Sequence, residues 1–245
     1  MIPQNTIAII PCYNESESIA ATINHLLECE PNIRAVVIDD GSSDNSASLI
    51  RNLHDPRITV IELPFNSGIG TAVQTGLLYA LRSGANYAVK FDGDGQHLPE
   101  EIASLTRVLE AGEADMAAGS RFLVAEDGGF KSTFLRRVGI KLFQWLTKLL
   151  TGKTITDSTS GFRAYNRQAL EFAARYYPAF DYPEPEESIL FLRNGFRIKE
   201  VPCKMAPRSG GTSSIRPHKA IYYMLKVSLA VLMEGIRRPV RQRCH

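Results

Sequence analysis

The chemistry in this chain concentrates in Phe91-Asp92-Gly93-Asp94-Gly95-Gln96-His97, where two carboxylates stand one residue apart. They follow a run of strand-forming residues, Tyr87-Ala88-Val89-Lys90-Phe91. Two glycines let the backbone turn tightly where such a strand ends. The turn leaves Asp92, Asp94 and the Gln96 carbonyl free to converge on one point. Hard oxygen donors of this kind suit Mg²⁺ or Mn²⁺, and a dication held there can bind a diphosphate. Asp-Gly-Asp-Gly is equally the composition of a solvated turn. The motif alone leaves both readings open, and the elements that carry it must decide.

Those elements alternate. Strands are expected over Thr6–Pro11, Arg34–Asp39, Ile58–Leu63, Tyr87–Phe91 and Asp115–Gly119, with helices over Ser16–Glu28, Asp44–Leu53, Gly68–Arg82 and Glu100–Glu110 between them. Continuous apolar strands alternating with helices imply βαβ units and a mainly parallel sheet. Right-handed crossovers then bring the strand C-termini to one edge, where open α/β sheets bind ligands. The polar loops all fall on that edge: Pro11-Cys12-Tyr13-Asn14-Glu15, Asp39-Asp40-Gly41-Ser42-Ser43-Asp44, Asn66-Ser67-Gly68 and the acidic motif itself. Packing alone would concentrate its signal in the strands. The second half is less regular. A basic amphipathic helix or helix pair is expected over Phe134–Leu150, a polar loop leading to a strand over Thr156–Arg167, a helix over Pro183–Arg193, a strand over Arg197–Met205 and a long apolar helix over Lys219–Gly235.

The 245 residues carry 44% hydrophobic and 22% charged residues, an ordinary soluble composition that allows one large domain. We expect that domain over 1–215, with an apolar helix and basic tail over 216–245. The net charge of +2 says little about partners. Cys12, Cys29, Cys203 and Cys244 form no CxxC pair, which fits a reducing compartment and gives no zinc signature. No signal peptide and no apolar run near ~20 residues is visible, so a cytoplasmic protein is expected. Gly68-Ile69-Gly70 lacks the third glycine of a dinucleotide fingerprint and follows the wrong strand. Nothing points to nucleic acid.

Taken together, Ile10-Pro11-Cys12-Tyr13-Asn14-Glu15, Val37-Ile38-Asp39-Asp40-Gly41-Ser42-Ser43-Asp44, Asn66-Ser67-Gly68, the acidic motif and Gly119-Ser120-Arg121 resemble family 2 glycosyltransferases of the GT-A fold. Asp157-Ser158-Thr159-Ser160-Gly161-Phe162-Arg163-Ala164-Tyr165 and Arg208-Ser209-Gly210-Gly211-Thr212 are similar to the dolichol- or polyprenyl-phosphate sugar synthase branch. The resemblance implies an inverting, metal-dependent transfer from a nucleotide sugar, UDP- or GDP-linked, to a lipid-linked acceptor. It also implies roles. Pro11, Tyr13 and Glu15 line the nucleoside, with Asp39, Asp40 and Gly68; Asp92, Asp94 and Gln96 surround the metal and diphosphate. Arg121 and Arg136 or Arg137 hold anionic oxygens, Ser160 or Ser158 lies near the acceptor, and Arg208 closes over the diphosphate. His97 is read as a bystander or a diphosphate contact.

The acceptor stays open between two kinds. A phosphate is already anionic at neutral pH and needs only positioning; a sugar hydroxyl needs a base, for which Glu186 in Glu184-Pro185-Glu186-Glu187 is the candidate. The same acids also suit a helix N-terminus. No Gln-x-x-Arg-Trp motif is present, against a processive polymer synthase. A non-catalytic nucleotide-sugar-binding subunit is the alternative from another class, opposed by the gathering of Asp92, Asp94, Gln96 and Arg208. The two apolar helices suggest peripheral attachment to the cytoplasmic face of a membrane, through lipid contact, a small membrane-protein partner or a homo-oligomer.

Overall fold

A computed structural model of the chain describes residues 2–123, 134–178, 183–206 and 220–240. Its first half is the expected alternation: β1 (Thr6–Cys12), α1 (Ile19–Cys29), β2 (Arg34–Asp39), α2 (Ser46–Arg51), β3 (Ile58–Glu62), α3 (Ile69–Arg82) and β4 (Tyr87–Lys90). A 3-10 turn (Pro99–Glu101) opens α4 (Ile102–Glu110), followed by β5 (Met116–Ser120). The second half holds α5 (Phe134–Thr151), β6 (Arg163–Asn166), α6 (Arg167–Tyr176), α7 (Glu184–Arg193), β7 (Ile198–Pro202) and α8 (Ala220–Ile236).

The seven strands form one sheet in the order β3-β2-β1-β4-β6-β5-β7. β1 pairs in parallel with both β2 and β4, while β6 runs antiparallel to β4 and β5. Every residue of β1 is buried, as a strand covered on both faces requires. The period of two divides the core. Ala8, Ile10, Val37 and Val89 face Ile19, Ile23 and Leu26 of α1 and Ile102 and Leu105 of α4. Ile7, Ile9, Val36 and Ile38 face Ala72, Val73 and Leu77 of α3, with Leu170 of α6 and Phe191 of α7 in the same cluster.

The strand expected at the end of the 156–167 segment is β6, four residues wedged between β4 and β5. One helix departs from the sequence expectation. α6 was not expected; it begins at Asn166, whose side-chain oxygen accepts the Ala169 N–H at 2.9 Å. The expected boundary at residue 215 lies outside the described residues. Downstream of it, Val227 and Val231 of α8 share a core with Phe143 and Leu146 of α5 and Ile189 of α7, so α8 packs on the rest of the protein.

Candidate active site

The sheet reverses its direction of travel between β1 and β4: from β1 the chain moves outward to β2 and β3, then returns through α3 to the other side. At such a switch point the flanking loops diverge and leave a crevice beyond the strand C-termini. The loop after β1 and the acidic loop after β4 both open there.

The acidic loop is held from three sides. Ser18 and Thr22 of α1 donate their hydroxyls to the Gly93 carbonyl, each at 3.1 Å. Glycine at 93 leaves room for its neighbours: a side-chain carbon there would lie 2.3 Å from Glu15 Oε2 and 2.8 Å from Ile19 Cδ1, and both side-chain ends would have to move. Gln96 donates its N–H to Asp94 Oδ1 at 3.0 Å. The Asp92 N–H donates to His97 Nδ1 at 2.9 Å, which leaves the ring proton on Nε2, 3.4 Å from Asp92 Oδ2. His97 is buried, stacked on Phe162 with centroids 4.6 Å apart. Burial pushes its imidazole below the usual value against the pull of Asp92 and Asp94. It is therefore a neutral brace that shapes the loop from inside, a role for which the sequence offers no cue beyond its closeness to the acids.

Asp94 is buried and Asp92 half-buried, and Asp92 Oδ1 is a buried oxygen with no hydrogen-bond partner. An unpaired buried carboxylate oxygen is costly and is what a cation site leaves behind. No third acid, histidine or cysteine forms a close ligand cluster with these two among the described residues. Two carboxylates, with the remaining positions left to water and phosphate, are the donor set that Mg²⁺ and Mn²⁺ favour at nucleotide sites; the residues fit the ion. The Gln96 carbonyl accepts the Ala206 N–H at 2.9 Å, which takes one of its two lone pairs. That bond, with the His97–Met205 bridge, brings the chain to the acidic loop just before Arg208, which itself lies outside the described residues.

The loops after β1 and β2 are laced together. Ser43 donates its N–H to Asn14 Oδ1 at 2.8 Å, and Glu15 and Ser16 donate theirs to Ser46 Oγ and Asp44 Oδ2 at 2.9 and 3.1 Å. Tyr13 is exposed at the rim and Pro11 is buried at the end of β1. Asp39 accepts the Ser42 N–H at 3.2 Å and keeps Oδ1 buried without a hydrogen-bond partner. The two oxygens of Asp40 accept the Ser67 and Gly68 N–H groups at 2.7 and 2.9 Å, so it fixes the loop before α3.

Beneath the acidic loop lies a buried charge network that the sequence reading missed. Lys90, in register with Arg163 across β4 and β6, is fully buried and ion-paired to Glu184. Arg163, also fully buried, holds Glu187 at 2.8 Å, and Tyr165 donates its hydroxyl to Glu187 at 2.7 Å. Burial would lower the Lys90 ammonium, but Glu184, Asp92 and Glu187 outweigh it and raise it; Lys90 stays charged below Asp92. Gly161 closes the site from the side: a carbon there would lie 3.2 Å from Asp92 Oδ2 and 3.5 Å from Lys90 Nζ. The lost signal was a lysine inside an apolar run.

Three more expectations meet the structure. The Arg121 fork grips buried Asp157, with both nitrogens at 2.7 Å from its oxygens, and so secures the Thr156–Asp157 turn. Glu186 sits on the side of α7 that faces α8. Burial and Glu234 raise its carboxyl against Arg237, and it lines a groove of about 620 Å³ with Leu229, Met233 and Arg237, away from the acidic loop. Ser158 and Ser160 are buried with unpartnered hydroxyls, and their carbonyls accept from Arg163. Arg136 and Arg137 stand in the first turn of α5; their side chains lie outside the described residues.

Comparison with known proteins agrees with this geometry. The model described as glycosyl transferase family 2 matches residues 7–172. The polyprenol monophosphomannose synthase of Mycolicibacterium smegmatis is 32% identical over 232 residues, covering 92% of this chain and 86% of that one. The UDP-N-acetylglucosamine–dolichyl-phosphate N-acetylglucosaminyltransferase of Methanococcus voltae is 30% identical, covering 92% and 97%. Among solved structures, glucosyl-3-phosphoglycerate synthase of Mycobacterium tuberculosis, crystallised with Mn²⁺, UDP and glucosyl-3-phosphoglycerate, superposes with a TM-score of 0.71 at 20% identity, covering 97% of this chain and 81% of that one. The chain is a glycosyltransferase on a GT-A fold, and it belongs to family 2.

Proposed function

We propose that this enzyme transfers a sugar from a nucleoside diphosphate donor to the phosphate of a polyprenyl-type lipid, with inversion at the anomeric carbon. One observation carries the choice of acceptor. Four acids of the second half are each engaged: Glu184 by Lys90, Glu187 by Arg163, Asp157 by Arg121, and Glu200 by the Thr156 and Asp157 N–H groups. Glu186, the candidate base, turns to α8. A phosphate acceptor needs no base, only positioning. The names of the two relatives above, both lipid-phosphate sugar transferases, support the same reading.

The donor would lie with its base against Tyr13 and the Asp39 edge and its diphosphate at Asp92 and Asp94. A bound Mg²⁺ or Mn²⁺ would neutralise charge on the departing diphosphate. The protein holds the two carboxylates on a loop braced by His97, Ser18 and Thr22, so that little reorganisation is needed. Arg208, just beyond the Gln96–Ala206 tether, is assigned to the leaving group, since a guanidinium binds phosphate oxygens in pairs. Attachment to a membrane follows from the acceptor. No helix among the described residues is long and apolar enough to cross one. Trp145 and Leu149 of α5 and Leu229, Met233 and Ile236 of α8 are exposed beside Lys148 and Arg237, the interleaving that suits a lipid interface. A peripheral position, direct or through a small membrane protein, is the reading.

The test is transfer by the purified chain with Mn²⁺, UDP- and GDP-sugars, and either polyprenyl phosphate or free sugars. Sugar-phosphate lipid should form, and chelation should stop it. Product on free sugars alone would overturn the acceptor; metal-independent turnover would overturn the role of Asp92 and Asp94.

A further inference from the structure

We propose that His25, Cys29 and Glu100 form a second metal site, separate from the acidic loop, for a thiolate-binding divalent ion of the zinc class. His25 and Cys29 are four residues apart on α1 and so share one face, and Glu100 reaches them from the 3-10 turn before α4. The donors Nε2, Sγ and a carboxylate oxygen all lie within 4.8 Å of one another. Glu100 Oε1 is 3.3 Å from His25 Nε2 and 3.7 Å from Cys29 Sγ. With metal–ligand bonds of about 2.0–2.1 Å to nitrogen and oxygen and about 2.3 Å to sulfur, a tetrahedral ion sets N···O near ~3.4 Å and S···O near ~3.6 Å. Two edges of that tetrahedron are already in place.

The donor chemistry selects the ion. Mg²⁺ and Ca²⁺ want oxygen only, whereas a mixed nitrogen, sulfur and oxygen set favours Zn²⁺ and its analogue Co²⁺. His25 and Glu100 are exposed and Cys29 half-buried, leaving the fourth position to water. Glu28 and Glu30 add negative charge and, with burial and Glu100, hold the thiol above its usual value. Binding therefore forms the sulfur–metal bond and releases the thiol proton to solvent, while His25 uses its Nε2 lone pair and keeps its proton on Nδ1. The site lies about 10 Å along α1 from the Ser18 hydroxyl that holds Gly93. An ion there would tie α1 to the segment that follows His97.

The test is Co²⁺ titration of the untagged full chain in millimolar Mg²⁺, followed by displacement with Zn²⁺. One equivalent should produce a thiolate-to-cobalt charge-transfer band that zinc abolishes. Cys29→Ser should remove the band. His25→Ala and Glu100→Gln should each weaken binding by at least about tenfold, the lower end for loss of a mere outer-shell partner. Asp94→Asn should leave it unchanged. The proposal falls if no band appears, if it survives Cys29→Ser, or if Asp94→Asn removes it. None of these readouts depends on sugar transfer.

Discussion

Replacing Lys90 with methionine tests the buried network most sharply. Methionine keeps most of the side chain's length, ending one atom short, and removes its charge. Lys90 is fully buried, paired with a Glu184 side chain that is only 10% exposed, and lies under Asp92. Without it, Glu184 and Asp92 lose the cation they share, and Arg163 is itself committed to Glu187. Removing one partner of a buried ion pair costs about 3–5 kcal/mol, because the other charge stays behind. At about 2–4 °C per kcal/mol for a chain of this size, melting should fall by roughly 6–20 °C. Glu184→Gln should be milder, since Lys90 keeps Asp92 as a counter-charge. The pair Lys90→Met with Glu184→Gln should recover part of the loss, which a double-mutant cycle on guanidinium unfolding measures as a coupling above about 1 kcal/mol. Loss below about 1 kcal/mol for Lys90→Met, or strict additivity in the double variant, would refute the account of the network.

Asp94→Ala should abolish transfer while leaving the melting temperature near the parent's, measured by product formation beside a thermal melt; retained turnover would contradict the metal assignment. Glu186→Gln should leave turnover close to the parent's, because its side chain faces α8, and a large fall in kcat would restore it as a base. For Asp115, burial alone would raise the carboxyl, but hydrogen bonds from Arg197 and Asn166 outweigh it and lower it. Its stabilisation is then present above the ordinary carboxyl value of about 3.9 and lost as pH falls through the lowered one. Asp115→Asn should flatten the decline of stability below about pH 4, read from unfolding midpoints across pH; an unchanged acid limb would count against it.

The acidic loop and the polar loops after β1, β2 and β3 were legible because their cues are local. Asp92, Asp94 and Gly93 are neighbours in the chain, and the strand before them reads from its own residues. The partners that hold Asp40, Arg121 and Glu186 were not legible. Each depends on a partner far along the chain: Gly68 for Asp40, Asp157 for Arg121, and α8 for Glu186. Residue type marks a carboxylate or guanidinium as able to bind, but not whether the fold has already used it.

From residue order alone followed the β-α alternation, the edge on which the loops gather, and the acids able to hold a dication, since short-range periodicity and turn chemistry encode them. Folding in three dimensions settled the rest. It wedged β6 antiparallel between β4 and β5, set Lys90 beside Arg163 below the site, and made His97 a brace. Pairing across a sheet and burial of charge are energies between distant segments, and such energies exist only once those segments meet.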